Sequence, residues 1–190
     1  FMAKGKDDLI LRDRLQFTLD GDGNLPVVYG RIDLSDYVSV VNNEGLKIKE
    51  VRVQIRDGNG NTGLLDSCLL NDATNGMGSL YVFASTTAYE SAADVGIASP
   101  NVFFAGEFRT YQDSIGAAGA ISNSEYFEFG TPDLHPEGYV VVSDVLIGIA
   151  ASTVNKYPSA TLEADIMLIA EPTKVTKDEL KDMLAQATDL

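Results

Sequence analysis

The stretch that decides the fold is Leu9-Ile10-Leu11-Arg12-Asp13-Arg14-Leu15-Gln16-Phe17-Thr18-Leu19. Its odd positions are apolar except Asp13, and its even positions are polar except Ile10. Because side chains of a strand point alternately to opposite faces, this period of two predicts a long strand with one buried face. The turn-forming residues 20–24 (Asp-Gly-Asp-Gly-Asn) end the predicted strand.

The same period of two recurs along the chain. We expect further strands at roughly 27–34, 46–56, 79–88, 102–111, 126–129, 139–151 and 161–170. Tract 139–151 is apolar on both faces, which predicts a central strand covered on both sides. Small residues predict loops at 91–100 and 114–124, residues 131–138 read as a two-proline connector, and Glu171-Pro172 is expected to end the last strand.

One of these strands carries a defect in its alternation. Leu46 and Ile48 are apolar at even positions, whereas Val51, Val53 and Ile55 are apolar at odd positions. A change of parity moves every later side chain to the other face unless one extra residue is inserted. The sequence therefore predicts a β-bulge, or a bend between sheets, at Lys49-Glu50.

The last twenty residues change from a period of two to helical spacing. Thr176 and Glu179 fit a capping box, and apolar residues follow at helical intervals, which predicts a helix over 177–186. We expect its stripe of Leu180, Met183 and Leu184 to be buried, and these three residues are the candidate interface residues. The chain thus divides into a jelly-roll domain, 1–172, and a C-terminal helical tail, 173–190. The tail is expected to dock on its own subunit, because no Gly/Ser-rich linker precedes it.

About eight strands and one terminal helix predict an all-β, two-sheet sandwich. Connections of about ten residues favour Greek-key crossovers, and eight strands in two sheets is the jelly-roll count. An immunoglobulin-like sandwich is the alternative, although such domains are shorter and often carry a buried Trp and a disulfide. This chain has 190 residues, no Trp and one cysteine, Cys68.

Charge and composition exclude several classes of protein. With 14 Lys and Arg against 28 Asp and Glu, the net charge is −14, and such a surface repels nucleic acid. We therefore expect no direct sequence-specific binding of nucleic acid, although Lys4, Lys6, Arg12 and Arg14 cluster near the N-terminus. The sequence contains no stretch of 18 apolar residues, so we expect no membrane-spanning helix.

The residues that carry chemistry in enzymes are scarce. His135 is the single histidine, so zinc sites built from His and Cys alone are excluded. The phosphate-binding glycine loops and the Gly-x-Ser-x-Gly elbow are also missing. We expect no cofactor and no catalytic activity, and His135 is the residue on which an enzymatic alternative would depend.

Two acidic, glycine-rich loops are candidates for calcium binding through Asp20 and Asp22, and through Asp57 and Asn59. Neither is an EF-hand, which needs Gly at its sixth and Glu at its twelfth position. The first loop has Leu25 and Arg31 there, and the second has Thr62 and Cys68. The other interpretation is a pair of tight turns that need positive φ.

Three segments carry a resemblance to a known family: residues 29–37 (Tyr-Gly-Arg-Ile-Asp-Leu-Ser-Asp-Tyr), residues 44–55 and the late tract 139–151. Their layout resembles the single jelly-roll major capsid proteins of tailless icosahedral viruses of prokaryotes. The step from Ser-Asp-Tyr-Val to Glu-Gly-Leu-x-Ile is similar to structural proteins in marine viral sequence sets. The resemblance implies a virion shell subunit without enzymatic activity, whose partners are other copies of itself.

The chain lacks the basic arm with which shell proteins usually neutralise a genome. The resemblance therefore implies a second structural protein or an internal membrane beneath the shell. Two other functions stay open: a carbohydrate- or cell-surface-binding module, for which the absence of Trp is a weakness, and a viral tail tube or fibre subunit.

Overall fold

A computed structural model of the chain describes residues 8–115, 119–130 and 138–188, with side chains up to residue 185. The strands are β1 (Leu9–Thr18), β2 (Leu25–Ile32), β3 (Glu44–Arg56), β4 (Gly76–Ser85), β5 (Val102–Ser114), β6 (Ala120–Gly130), β7 (Tyr139–Val141), β8 (Val145–Ser152) and β9 (Thr161–Lys174). A short 3-10 turn spans Ala92–Asp94, and one helix, α1, spans Lys177–Thr188.

Two antiparallel sheets form a sandwich. The four-stranded sheet has the order β1-β9-β3-β7, and the five-stranded sheet has the order β2-β8-β4-β5-β6. Apart from β6, the first strand lies beside the last and the second beside the next to last, which is the double Greek key of a jelly roll. The predicted fold class is therefore confirmed, and the described part of the chain has nine strands because the predicted strand 139–151 is divided into β7 and β8.

Leu9–Thr18 form β1, which pairs along its whole length with β9, from Leu9 opposite Ala170 to Thr18 opposite Thr161. One face of this pair lies in the core, where Leu162 and Leu168 are completely buried. The period of two thus predicted both strands, because one face of each is buried and the other is polar.

The predicted bulge is confirmed. In the pairing of β3 with β9, Ile48 lies opposite Ala170 but Glu50 lies opposite Ile169, so Lys49 is the extra residue. The insertion lets Ile48 and Val51 point into the same core despite their opposite parity.

The prediction of one continuous strand over 139–151 is wrong. Residues Tyr139–Val141 form β7 in the four-stranded sheet, and Val145–Ser152 form β8 in the other sheet. The chain crosses between them at 142–144, where an Asp144 carboxylate oxygen accepts a hydrogen bond from the Leu34 N–H at 2.8 Å. Both halves are apolar because both contact the core, and the polar pair Ser143-Asp144 that interrupts the tract lies at the crossing.

Two predicted strand ends are also wrong. β9 continues through Pro172 to Lys174, two residues beyond the boundary predicted between domain and tail. Pro172 is tolerated because β1 stops pairing with β9 at Ala170 in the described residues, which leaves β3 as its neighbour there. Within the predicted loop at 114–124, Ser114 is the last residue of β5 and residues 120–124 belong to β6, whereas residues 116–118 lie outside the described part of the chain.

The terminal helix and its cap are confirmed. The Glu179 N–H donates to the Thr176 hydroxyl at 3.2 Å, and Glu179 accepts a hydrogen bond from the Thr176 N–H at 2.8 Å. Leu180 is buried in its own subunit and Met183 is half-buried, but Leu184 stays 49% exposed. The predicted burial of the stripe is therefore wrong for Leu184.

A second, smaller core covers part of the outward face of the five-stranded sheet. Residues 86–101 fold over that face, where Val95 packs with Phe83 and Ala105. Gly148 of β8 allows this packing, because a Cβ at that position would lie 2.2 Å from the Phe83 ring. The cover does not extend along β6, most of which is exposed. None of the helices that the structure describes is long and apolar enough to cross a membrane.

Candidate interaction surface

β6 is an edge strand with an open side. It pairs with β5 from Gly130 opposite Phe104 to Ala120 opposite Ser114, and no other strand in the described part of the chain pairs with it. Residues 121–127 are all exposed, although they belong to a regular strand. Such an edge presents a row of unpaired N–H and C=O groups to any strand that approaches it.

The outward face of β6 carries large apolar side chains. Odd residues of β5 and β6 share the face of Phe83 and Ala105, and on this face Ile121 is 67% and Phe127 is 56% exposed. Tyr111 of β5 is similarly exposed on the same face. Exposed apolar residues that share one face of a strand are typical of a surface used for contact with another protein.

The inward face of β6 is held to the sandwich by polar and aromatic contacts. The Tyr126 ring packs on Phe108 with centroids 4.4 Å apart, and its hydroxyl donates to Glu128 at 2.6 Å. Partial burial, and then the neighbouring Glu128 carboxylate, raise the pKa of Tyr126 well above its usual value. The Ser124 and Thr110 hydroxyls are 3.0 Å apart and share a hydrogen bond.

The turn end of the β5–β6 hairpin is fixed by buried polar groups. The Gln112 side-chain amide donates to the carbonyls of Asn71 at 2.6 Å and Thr74 at 2.9 Å, and Gln112 itself is almost completely buried. A buried amide with both N–H groups satisfied strongly specifies one geometry. The turn end of the hairpin is therefore held in place by the segment at 71–74.

A groove of about 430 Å³ separates β6 from the edge of β3. β7 pairs only with Leu46–Ile48, so β3 has no partner on this side from Glu50 to Ile55 among the described residues. Val53, Phe108 and Tyr126 line the groove. Arg52 reaches across it to Glu128, with their closest nitrogen and oxygen atoms 3.2 Å apart.

The outward face of the four-stranded sheet is a charge ladder centred on β9. Arg14 binds Asp165 in a fork, with Nε to Oδ1 at 2.6 Å and Nη2 to Oδ2 at 3.1 Å, and Arg56 lies 3.6 Å from the same carboxylate. The hydrogen bond from Arg14 lowers the pKa of Asp165 below its usual value. Lys49 pairs with Asp8 at 2.7 Å and with Glu171 at 2.6 Å. Arg14, Arg56 and Lys49 therefore have carboxylate partners, whereas Arg12 on the same face makes no ion pair with a described residue; Lys4 and Lys6 lie outside the described residues.

The two acidic residues that begin the candidate calcium loops, Asp20 and Asp57, accept hydrogen bonds from backbone N–H groups of their own turns. The Asp20 carboxylate accepts hydrogen bonds from the N–H groups of Asn24 at 2.8 Å and Asp22 at 2.9 Å, and these donors, Asn24 first, lower the pKa of Asp20. Asp57 accepts the N–H of Asn59 at 3.0 Å.

The first of these turns needs a glycine, because Gly23 has φ of +79° and a Cβ there would lie 2.2 Å from the Val154 carbonyl carbon. No group of three metal-ligating side chains is assembled among the described residues. Calcium binding at the two loops stays a prediction.

A shallow depression lies on the outward face of the five-stranded sheet. It has a volume of about 520 Å³ and is lined by Tyr81, an ion pair of Glu107 and Arg109, and small residues of β8. The Tyr81 hydroxyl donates to the Val95 carbonyl at 3.2 Å. Burial, and to a lesser degree Glu107, raise the pKa of Tyr81 to about 12.

The residues singled out from the sequence differ from those that form the candidate surface. His135 lies outside the described residues, so its role stays a prediction. Leu180 contacts its own subunit. The predicted strand at 126–129 lies within β6, but residues 121–124 fall in a predicted loop of small residues, so this surface was missed. The available signal was the alternation of Ile121, Phe127 and Phe129 at odd positions.

Comparisons with known proteins return distant structural neighbours only. No protein-family model matches the sequence, and no curated protein matches it. Among solved structures, VP1 of chimpanzee polyomavirus is similar with a TM-score of 0.39 and 10% identity, over 93% of this chain and 98% of that chain. VP1 of Trichodysplasia spinulosa-associated polyomavirus, solved in complex with sialylated glycooligomers, has a TM-score of 0.39 and 10% identity, over 90% and 97%. The strand order of the two sheets identifies the fold as a jelly roll.

Proposed function

We propose that this chain is a non-enzymatic structural subunit that assembles with copies of itself into the shell of a virion. The observation that carries the proposal is the β5–β6 hairpin, whose second strand is an open edge of the jelly roll with Ile121 and Phe127 exposed on its outward face. A soluble monomer usually protects such an edge with charge, proline or a bulge. A subunit of an assembly keeps it exposed until a neighbour covers it.

Two further properties support assembly. The sequence resembles single jelly-roll capsid proteins of tailless prokaryotic viruses, as its segments at 29–37, 44–55 and 139–151 indicate. The open edge of β3 and the groove beside it supply a second place where a neighbouring chain can add a strand. The two open edges lie on either side of this groove, so a neighbouring chain can contact both of them at once.

The net charge of the chain bears on how the proposed shell contacts the genome. The net charge is −14, and Arg14 and Lys49 already pair with carboxylates of the same chain. We therefore infer that this subunit does not neutralise the genome directly, and that a second structural protein or an internal membrane lies between them. The same charge makes copies repel one another, and salt screens this repulsion.

Sedimentation velocity over a range of protein concentration tests the proposal. We expect monomers or dimers at low concentration and large species above a threshold, and we expect this threshold to fall when ionic strength rises from 0.1 M to 1 M. A monomer at every concentration and both salt levels would contradict self-assembly.

The depression beside Tyr81 supports a second candidate, a module that binds carbohydrate. An aromatic ring next to paired charged groups on an exposed sheet offers both stacking and hydrogen bonding to a sugar. Binding to a glycan array that is lost in Tyr81→Ala and kept in Tyr111→Ala favours this candidate. A tail tube or fibre subunit belongs to the same structural class as the shell subunit, and electron microscopy distinguishes them.

A further inference from the structure

The free edge of β6 has few of the features that prevent pairing. Residues 121–127 read Ile-Ser-Asn-Ser-Glu-Tyr-Phe, with Glu125 as the one charged residue and without lysine or proline, and the β5–β6 ladder contains no bulge. Natural edge strands are protected most often by lysine, proline or a bulge. The polar groups of this edge are therefore available to another extended strand.

We propose that β6 of one subunit pairs antiparallel with β6 of a second copy of this chain, across a twofold axis at Ser124. The two five-stranded sheets then join into one sheet of ten strands. This β6–β6 contact would be the first contact of the proposed shell. The dimer can form even if no shell forms.

Symmetry limits the possible registers to a few. A twofold axis that relates two antiparallel neighbours is perpendicular to the sheet, so outward residues pair only with outward residues. Each allowed register therefore has one residue that faces its own copy. The choice among registers then depends on which side chains meet on the outward face.

In the register centred on Ser124, apolar residues on the outward face of one β6 strand lie opposite apolar residues of the other, and polar residues lie opposite polar residues. Ile121 lies opposite Phe127 of the second copy, and Phe127 lies opposite its Ile121, so the most exposed apolar residues of each strand cover one another. Asn123 lies opposite Glu125 of the second copy, which pairs an amide donor with a carboxylate acceptor. Residues 120–128 of both copies take part.

The neighbouring registers are worse. With the axis at Glu125, the two copies of this carboxylate face each other, and like charges directly opposite are destabilising. With the axis at Asn123, Glu125 lies opposite Ile121 of the second copy. With the axis at Tyr126, Glu125 lies opposite Phe127, so both of these registers place a charge against an apolar side chain.

Disulfide trapping tests the register. In a Cys68→Ser background, Ser124→Cys places two thiols opposite each other, with Cα atoms about 4.5–5.5 Å apart, within the range of a disulfide. Ser122→Cys is the matched control on the same face of the same strand. Its two copies lie four residues apart along the ladder, about 13 Å, which is too far for a disulfide.

We expect rapid oxidation of Ser124→Cys to a covalent dimer and at least a tenfold slower reaction of Ser122→Cys. Equal rates, a faster Ser122→Cys reaction, or no dimer of Ser124→Cys would each overturn the proposal. The measurement is made below the concentration at which large species form, so it does not depend on a shell.

A charge on the edge tests the same contact without a cysteine. Ile121→Lys is expected to convert the dimer into a monomer in sedimentation velocity, with an unchanged circular dichroism spectrum. Val41→Lys is the control, since Val41 is 91% exposed in a loop away from β6. A dimer that survives Ile121→Lys would overturn the proposal. A dimer that β6 holds together, without larger particles at any concentration, would contradict the proposed shell and leave this inference intact.

Discussion

Phe108 on β5 and Tyr126 on β6 lie opposite each other and pack ring on ring, with centroids 4.4 Å apart. This aromatic pair anchors β6 to the sandwich, because residues 121–127 are exposed on both faces. The strand proposed to contact a neighbour is thus fixed to its own subunit by a backbone ladder, this ring contact, the Ser124–Thr110 hydrogen bond and the ion pair of Glu128 with Arg52.

Tyr126→Ala is expected to loosen β6 without unfolding the chain. An aromatic pair contributes about 0.5–1.5 kcal/mol beyond its buried area, and β6 lies at the edge of the core. Amide hydrogen exchange should therefore become faster in residues 120–130 and stay unchanged in β1 and β9. The control is Tyr111→Ala, which removes an exposed ring from the adjacent strand. Faster exchange throughout the sandwich in Tyr126→Ala would show that β6 is part of the main core.

Leu180→Ala is expected to destabilise the chain far more than Leu184→Ala. Leu180 is 8% exposed and Leu184 is 49% exposed on the same helix. Removing a buried leucine side chain costs about 2 kcal/mol or more, whereas the exposed site loses little burial. Urea unfolding measures both variants.

Removal of the helix, by truncation before Thr176, should lower the thermal midpoint before it affects assembly. A truncated chain that keeps its thermal midpoint and fails to assemble would mean that the helix docks on a neighbouring subunit instead.

The ion pair of Arg14 with Asp165 is expected to make stability depend on acid pH. Arg14 lowers the pKa of Asp165 in the folded chain, so the pair stabilises the fold above the unfolded pKa of about 3.9. This contribution is lost as pH falls through the lower, folded pKa. The thermal midpoint of the native chain should therefore fall more steeply below pH 4 than that of Arg14→Ala. Arg12→Ala, on the same strand, is the control, since Arg12 makes no ion pair with a described residue. Parallel curves for the native chain and Arg14→Ala would contradict the prediction.

Tyr81 is expected to make stability depend on alkaline pH. Burial raises its pKa to about 12, so the neutral side chain stabilises the fold fully below the unfolded tyrosine pKa of about 10. The contribution is lost as pH rises from 10 toward 12. Tyr81→Phe loses the hydrogen bond to Val95 and is less stable at pH 8, but its stability should fall less between pH 10 and 11.5. Denaturant midpoints measure both chains; an equal decline in both would show that Tyr81 ionises normally.

The sequence predicts the strands that bury one face and fails where this condition ends. β1, β3 with its bulge, and β9 follow the period of two because one face of each is in the core. The tract 139–151 buries residues in both sheets, and its two-residue polar interruption, Ser143-Asp144, does not by itself distinguish a crossing from a single strand. β6 buries neither face along most of its length, and Asn123 and Glu125 interrupt the alternation of Ile121, Phe127 and Phe129, so the pattern of its first half does not differ from that of a loop. A surface kept open for a partner is difficult to recognise from one chain, since the partner would supply the missing burial.

Electron microscopy of the purified chain, above the concentration threshold for large species, tests the central claim most directly. We predict closed shells, or curved lattices of one repeating subunit, in the native chain, and far fewer of them in Ile121→Lys. Monodisperse particles the size of a single subunit or a dimer, at high protein concentration and high salt, would contradict the proposal that this jelly roll is a shell subunit.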